Sequence, residues 1–386
     1  MSWKRLFSCA LAADTDRLHV AAHSHHLWPD AAREGHMRAF DDAARLADLK
    51  WPHIFETVYP EACAHIAREL ELPRADTIAV SSNTHDFLLR IVSAWPQRRV
   101  RILSTDGEFH SFRRQTARWA EDADITVERV PLEPFDTFAD RFAKRARSGE
   151  HDIIFVSHVF FRTGRAFDQA FDLAEIARPE GPWVVIDGYH GFMALPTKLG
   201  AAADCVFYLA GGYKYAMAGE GMCFLHAPAG FALRPAITGW FAEFGALAGT
   251  PGAVGYGEDG SRFLGATFDA SALYRFNAVR EMLEVEGLDT ATIHDHAVAR
   301  MADLEYAIDE GAAGRLGEAE ILNPSGRGRR ARFLALRHPE ARAWQATLER
   351  QNVIADARDD VLRIGFALYH DAEDVAALCA VCRRSL

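Results

Sequence analysis

Seven short apolar runs between residues 77 and 226 constrain the fold more than any other feature of this sequence. They are TIAV (77–80), RVRILS (99–104), ITVERV (125–130), DIIFVS (152–157), WVVID (183–187), CVFYLA (205–210) and MCFLH (222–226). Several are apolar throughout, which is typical of parallel strands that are covered on both faces. Amphipathic stretches such as FDTFADRFAKRARS (135–148) separate them. This alternation predicts a doubly wound α/β domain.

The pattern changes from about residue 275. A long helical region with RFNAVREMLEVEG and HDHAVARMADLEYAIDEG is followed by two strand candidates, ARFLALR and VLRIGFALY, and by a last helix. This order predicts a second, smaller α+β domain. A chain of 386 residues is long enough to bury both cores.

The charge and the cysteines exclude several classes of protein. The net charge of -11 argues against a broad nucleic-acid surface, and the one basic run, GRGRRAR (326–332), is predicted to be a solvated loop. The six cysteines are scattered and form no disulfide framework, which indicates a reducing compartment. No segment approaches the length of a transmembrane helix. We therefore expect a cytoplasmic protein that binds neither nucleic acid nor a membrane.

The residues that directly follow the strands are the first candidates for a site, because ligands of α/β sheets collect at the carboxyl ends of the strands. After TIAV come Ser82, Asn83 and Thr84, which favour the start of a helix. A helix start with free N–H groups and hydroxyls can bind an anion, although plain capping explains the same residues. No Walker loop or GxGxxG follows this strand, so a nucleotide is poorly supported.

Asp187 and Lys214 follow two later strands. Asp187 ends WVVID and precedes GYHGF, where it could cap a helix, bind a metal or pair with a protonated ring nitrogen. Lys214 lies in LAGGYKYAMAGEGMCF with no acid before Glu220, and in such surroundings an amine tends to lose charge and become a nucleophile. The alternative is a lysine that reaches the surface along its apolar stem. An anion site, an aspartate and an unpaired lysine together are what pyridoxal 5'-phosphate requires.

These motifs resemble the class V aminotransferase family of pyridoxal-phosphate enzymes, and within it kynureninases. The resemblance rests on their shared order along the chain: AAHSHHLWP, SSNTHDF, GEFHSF, FFRTGRAFD, IDGYHG, GGYKYAMAGEG, TGWFAEFG, SRFLGATFDAS and VLRIGFALYHDAEDV. It implies the type I fold of pyridoxal-phosphate-dependent transferases, with a large, mostly parallel seven-stranded sheet domain. It also implies a large cofactor-binding domain over 41–270, a small α+β domain over 271–386, and an N-terminal segment, 1–40, that belongs with the small domain.

The resemblance implies roles for the residues around the cofactor ring. Lys214 would bind the cofactor as a Schiff base and move protons at the substrate, and Asp187 would keep the pyridine nitrogen protonated. His190 would lie near the ring oxygen, and Phe109 would stack on the ring unless it is an ordinary core aromatic. Tyr213 is the candidate acid.

The resemblance also implies contacts to the phosphate, the substrate and a second subunit. The phosphate would be held by Asn83, Thr84, Ser111 and Tyr213. Trp240 and Thr267 resemble positions that reach across from the partner of a homodimer, although Trp240 could be a core aromatic. Arg363 would bind the substrate carboxylate through two parallel hydrogen bonds, and its alternative is a surface bridge to Asp359 or Asp360.

Two motifs depart from the kynureninase pattern. Phe-His-Ser-Phe (109–112) stands where kynureninases have Phe-Pro-Ser-Asp, and the loop with His23, Ser24, His25 and His26 is unusual. No nearby carboxylate or cysteine completes a metal site, so none is predicted. We expect Ser24, His25 and His26 to bind substrate at the entrance, where a histidine can bind a carboxylate or relay a proton.

The function expected from this resemblance is hydrolytic cleavage of the Cβ–Cγ bond of an amino acid. Transamination to a 2-oxo acid uses the same lysine and aspartate, so it stays as the alternative. A cysteine desulfurase would need a reactive cysteine in the small domain, and RLGEAEILNPSGRGRR (315–330) has none. A non-catalytic relative is disfavoured because Lys214 and Asp187 are both present.

Overall fold

The computed structural model describes residues 3–122, 124–231, 233–246 and 254–386. The strands are β1 Leu18–His19, β2 Ile78–Ser81, β3 Val100–Thr105, β4 Ile125–Val130, β5 Ile153–Ser157, β6 Trp183–Asp187, β7 Val206–Gly211, β8 Cys223–His226, β9 Glu320–Ile321, β10 Phe333–Arg337, β11 Val353–Ile354, β12 Asp356–Arg358 and β13 Val361–Gly365. The helices are α1 Ser8–Ala12, α2 Asp30–Leu46, α3 Lys50–His53, α4 Tyr59–Leu70, α5 Thr84–Ser93, α6 His110–Ala120, α7 Phe138–Ala146, α8 Ser271–Val285, α9 Thr290–Asp309, α10 Ala341–Arg350 and α11 Ala372–Ser385.

A seven-stranded sheet forms the centre of the large domain. Its strand order is β2-β8-β7-β6-β5-β3-β4, and only β8 runs antiparallel to its neighbours. All residues of β5 and β7 are buried, as the apolar runs predicted for strands covered on both faces. Each strand lies within one residue of its predicted bounds, so the expected fold class is confirmed.

The helices on this sheet follow the apolar spacing of the sequence. In α7 the buried side chains are Phe138, Phe142 and Ala146, which recur every four residues and therefore share one face. Asn83 begins α5, where its side-chain oxygen accepts the backbone N–H of Asp86 at 2.9 Å. These helix starts lie at the same edge of the sheet as the ends of the parallel strands, which is where the site lies.

The small domain is a four-stranded antiparallel sheet, in the order β12-β13-β10-β9, with its own apolar core. The N-terminal segment is attached to it in two ways. Strand β1 pairs in parallel with β11, and Lys4 lies 2.8 Å from Asp371 at the start of α11. Helix α2, by contrast, packs along α8, and the buried side chains of α8 belong to the larger core. We therefore propose that the small domain begins after α8.

Over the described ranges, no helix is both long enough and apolar enough to span a bilayer.

Candidate active site

A cavity of about 270 Å³ opens at the carboxyl ends of β2, β3, β5, β6 and β7. The position agrees with the general rule for open α/β sheets. The predicted site residues that line it are Asn83, Thr84, Phe109, Ser111, Asp187, His190, Tyr213 and Lys214. The fold therefore brings these predicted residues together at one cavity, although they are up to 131 positions apart in the chain (83 to 214).

Lys214 lies in the turn after β7 and is only 5% exposed. Its Nζ is 2.7 Å from Nε2 of His190, and 4.5 Å from the ring centre of Tyr189. Burial lowers the pKa of Lys214 to about 7, the positive charge of Arg363 adds to this, and Asp187 opposes it. The lysine is therefore buried at the site and does not extend to solvent.

Asp187 is the last residue of β6 and faces the same cavity. Its Oδ1 accepts the backbone N–H of Tyr189 at 2.9 Å. Burial raises the pKa of Asp187, while the Tyr189 N–H and the charge of Lys214 act to lower it. In the described part of the chain no side chain hydrogen-bonds to Asp187, which leaves its second oxygen for a ligand.

Two helix starts also line the cavity. Thr84 is the first residue of α5, and Ser111 lies in the first turn of α6. Asn83 uses its side-chain oxygen as the cap of α5, so capping and a place in the cavity occur together. Free N–H groups and hydroxyls at such helix starts favour an anion.

Aromatic rings form one wall. Phe109, just before α6, lies 5.4 Å from Phe161 in an edge-on arrangement, and it lines the cavity instead of joining the core. Phe112, by contrast, is buried and stacks on Phe155 at 4.1 Å. The position at which kynureninases have an acid therefore points into the core in this chain.

Arg363, in β13, is only 2% exposed, and all three of its guanidinium nitrogens donate hydrogen bonds. Its Nε donates to Asp356 Oδ2 at 2.7 Å, Nη2 donates to the same oxygen, and Nη1 donates to the carbonyl of Phe161. The pairing follows from the β12–β13 register, which sets Asp356 opposite Arg363. A surface bridge to Asp359 or Asp360 is not what the structure contains.

The histidine loop divides between the site and the core. His25 is exposed and stacks on Tyr213 at 4.9 Å, with Ser24 beside it at 3.4 Å. His26 is instead buried: its Nδ1 lies 2.7 Å from the carbonyl of Leu27, and its ring packs edge-on against Tyr369. The structure therefore does not bring His26 to the cavity, because its side chain packs under the loop.

His23 is the most buried residue of this loop. Its ring stacks on Phe333 at 4.5 Å, and its Nε2 lies 3.9 Å from Asp356, too far for a hydrogen bond. Burial, together with the charge of Arg363, lowers the pKa of His23 to about 3. Among the described residues no three His, Cys, Asp or Glu side chains are arranged to hold a metal ion.

Trp240 and Thr267 do not line this cavity. The Trp240 Nε1 donates to the Thr267 hydroxyl at 3.2 Å, and Trp240 is 43% exposed. Trp240 is therefore at the surface, which contradicts the alternative that it is a core aromatic.

Sequence reasoning missed several residues of this region, three of which bear on its chemistry. Ser157, at the end of β5, and Tyr189, within GYHGF, both line the cavity. Glu108 lies behind them and is completely buried. Ser157 and Tyr189 could have been found by applying the strand-end rule to every strand, and Glu108 by its place directly before Phe109.

Comparisons with known proteins identify relatives of this chain. Residues 299–382 match the kynureninase C-terminal domain family. Isopenicillin N epimerase from Streptomyces clavuligerus is 32% identical over 159 residues, and the one from Amycolatopsis lactamdurans is 32% identical over 147 residues. These matches cover 39% and 36% of each chain, so this chain spans well under half the length of the curated relatives it matches.

Solved structures match over nearly the whole chain. The cysteine desulfurase from Thermococcus onnurineus NA1 has a TM-score of 0.80 at 16% identity, covering 100% of this chain and 98% of that one. The cystine C-S lyase C-DES, in complex with cysteine persulfide, has a TM-score of 0.81 at 17% identity, covering 98% and 99%. At such identities the likeness establishes the fold, which is that of type I pyridoxal-phosphate enzymes. The predicted resemblance to class V aminotransferase-like proteins, with a kynureninase-type C-terminal domain, is confirmed.

Proposed function

We propose that this chain is a pyridoxal-phosphate-dependent enzyme that acts on an amino acid. The observation that carries the proposal is the buried Lys214, whose pKa is lowered to about 7 in a cavity that also holds Asp187. The residues fit the cofactor at three points: an amine, a carboxylate oxygen without a side-chain partner, and two helix starts. When bound, the cofactor would supply an electron sink for the electron pair of a bond broken at the substrate's α-carbon.

Each of these residues would then have its own role at the bound cofactor. Lys214 would bind the aldehyde carbon and, once released, would accept and return the α-proton, which its pKa near neutrality favours. Asp187 would hold a proton on the ring nitrogen. Tyr213 would be the acid: burial raises its pKa to about 12, which keeps it protonated at neutral pH but makes it a weaker acid than an ordinary tyrosine. His190 would bind the ring oxygen, since its Nε2 already lies beside Lys214.

Residues of the cavity wall would bind the phosphate and stack on the ring. Asn83, Thr84, Ser111 and Tyr213 would hold the phosphate, and Phe109 would cover one face of the ring. Phe109 suits this role because its ring is part of the cavity wall, 5.6 Å from Lys214 Nζ.

Arg363 is proposed to bind the substrate carboxylate, with Ser24 and His25 near the entrance. Asp356 already occupies the guanidinium, so a substrate carboxylate has to share it with Asp356 or displace Asp356. This competition favours substrates whose carboxylate makes bidentate hydrogen bonds.

We also propose a homodimer with shared active sites, in which Trp240 and Thr267 complete the cavity of the partner. The support is an apolar surface around them. Phe40 is 66% exposed and lines the same surface hollow as Thr267, and Leu49 is exposed nearby in sequence. Large apolar side chains at a surface commonly mark an interface.

For the reaction, we propose kynureninase-like hydrolytic cleavage, supported by the C-terminal domain match. Transamination remains the alternative because it requires the same residues. Desulfuration is disfavoured: over 286–386, all of which the structure describes, the cysteines are Cys379 and Cys382, both buried in α11.

The first experiment tests the cofactor. The protein is loaded with pyridoxal phosphate, reduced with borohydride and digested, and the cofactor should be found on the peptide that contains Lys214. Lys214→Arg should abolish the attachment, whereas Lys198→Arg, at an exposed lysine paired with Glu71, should leave it unchanged. Attachment at another lysine would contradict the assignment.

A second experiment separates the two reactions. The holoenzyme is incubated with kynurenine, 3-hydroxykynurenine and common amino acids, with and without a 2-oxo acid. A hydrolase releases alanine from its substrate and needs no oxo acid. If the cofactor is converted to its amino form and only an oxo acid restores it, transamination replaces the hydrolytic proposal.

A further inference from the structure

Glu108 is a carboxyl group that the proposed roles do not use. It lies between β3 and α6, directly before Phe109, and its exposure is 0%. Its Oε1 accepts the Thr105 hydroxyl at 2.7 Å and the Ser157 backbone N–H at 3.2 Å, and its Oε2 accepts the Ser157 hydroxyl at 2.5 Å. All of these donors are neutral, and within the described ranges no Lys, Arg or His forms an ion pair with this carboxylate. A carboxyl without a counterion in the interior needs another explanation.

Ser157 connects Glu108 to the cavity. It is the last residue of β5, and it also lines the cavity. The parallel register of β5 and β6 sets Ser157 directly beside Asp187. The Glu108 carboxyl is thus one hydroxyl away from the floor of the site, next to the carboxylate assigned to the ring nitrogen.

We propose that Glu108 is a positioning residue that acts on the cofactor site through Ser157, orienting the Ser157 hydroxyl and supporting the proton on the ring nitrogen beside Asp187. The inference rests on the proposed cofactor. In this arrangement a Glu108 carboxylate accepts the Ser157 proton, so the Ser157 oxygen can only accept from the cavity. A protonated Glu108 donates to the Ser157 oxygen instead, and the Ser157 proton turns toward the cavity.

The two forms of Glu108 are both accessible near neutral pH. Burial raises the pKa of Glu108 to about 7, the hydroxyls of Ser157 and Thr105 oppose this, and the charge of Asp187 adds to it. The groups that face Glu108 are therefore the neutral hydroxyls from β3 and β5 and the carboxyl from β6. An anionic Glu108 favours protons on nearby groups, and a neutral one does not.

The test compares Glu108→Gln, Ser157→Ala and a control, Glu121→Gln, whose side chain is exposed and paired with Arg118. Glutamine keeps the shape of a protonated Glu108 but carries no charge. The absorbance of the bound cofactor is followed against pH. We expect the pH midpoint of this absorbance change to fall by about one unit in Glu108→Gln and to fall measurably in Ser157→Ala. The midpoint of the control should not change.

A second readout uses the protein without cofactor. The urea midpoint of the wild type should fall relative to Glu108→Gln between about pH 5 and pH 7, because the folded state keeps a proton that the unfolded state releases. Above pH 7 the difference should be constant.

The outcomes are distinct. If the cofactor attaches to Lys214 but Glu108→Gln keeps the wild-type absorbance midpoint, the role of Glu108 is wrong and the proposed function stands. If Glu108→Gln shifts the midpoint and Ser157→Ala does not, the connection through Ser157 is wrong. If no cofactor attaches, both proposals fail, even where the urea readout still detects the Glu108 proton.

Discussion

Lys214 is expected to react as a free amine at neutral pH in the protein without cofactor. An ordinary lysine has a pKa of about 10.4, so roughly one in 2,500 is neutral at pH 7. With a pKa of about 7, about half of the Lys214 side chains are neutral at that pH. The fraction of neutral amine is therefore about a thousandfold larger than in an ordinary lysine. The gain in reaction rate is smaller than this, because a less basic amine is a weaker nucleophile.

The assay measures this fraction directly. The apoprotein is treated with pyridoxal at pH 5.5 to 9.5, reduced with borohydride, and the labelled peptides are quantified. Labelling of Lys214 should rise through about pH 7 and then level, whereas a free lysine, with a pKa of about 10.4, would keep rising about tenfold per pH unit over this range. Asp187→Asn should lower the midpoint for Lys214, because it removes the anion that stabilises the ammonium, and Arg363→Met should raise it.

Two results would contradict a lowered pKa of Lys214 or its control by the neighbouring charges. If Lys214 labelling keeps climbing through pH 9 like that of a free lysine, then burial and Arg363 do not depress its pKa. If both variants leave the midpoint unchanged, the charges named here do not control it.

Two further predictions concern packing and assembly. Phe112→Ala should lower the free energy of unfolding by about 3–5 kcal/mol, measured by urea denaturation, because Phe112 is buried and stacks on Phe155; a loss under about 1 kcal/mol would contradict its place in the core. The dimer should bury about 2,000 Å² or more, so Trp240→Ala should shift the oligomer toward monomers in sedimentation and reduce activity, whereas a fully active monomer at high dilution would exclude shared sites.

Most strands of the large sheet could be read from the sequence because they are short apolar runs; the edge strand β4 is only partly buried. Asp187 and Lys214 could be read for the same reason, since Asp187 ends one of these runs and Lys214 lies in the turn after another. The partner of Arg363 could not be read so easily. Asp356 reaches it through the register of a hairpin, and the motif around Arg363 does not contain that register.

Glu108 and His26 show the other limit of sequence reasoning. The environment of Glu108 is supplied by Ser157, 49 residues later, so its sequence neighbours do not reveal that it lacks a counterion. His25 and His26 are adjacent in the chain, yet one faces Tyr213 and the other the core, and the loop has no periodicity that would separate them.

The attachment of the N-terminal segment to the small domain has a mechanical consequence. The small domain is joined to the large one by two stretches of chain, 20–30 and 286–289, and a body held at two points can turn about the line between them but cannot swivel freely. The loop with His25 lies on the first of these stretches, and Arg363 lies in the domain that would turn. Any rotation about that line would therefore move Arg363 with the small domain and leave His25, which lies on the hinge itself, stacked near Tyr213.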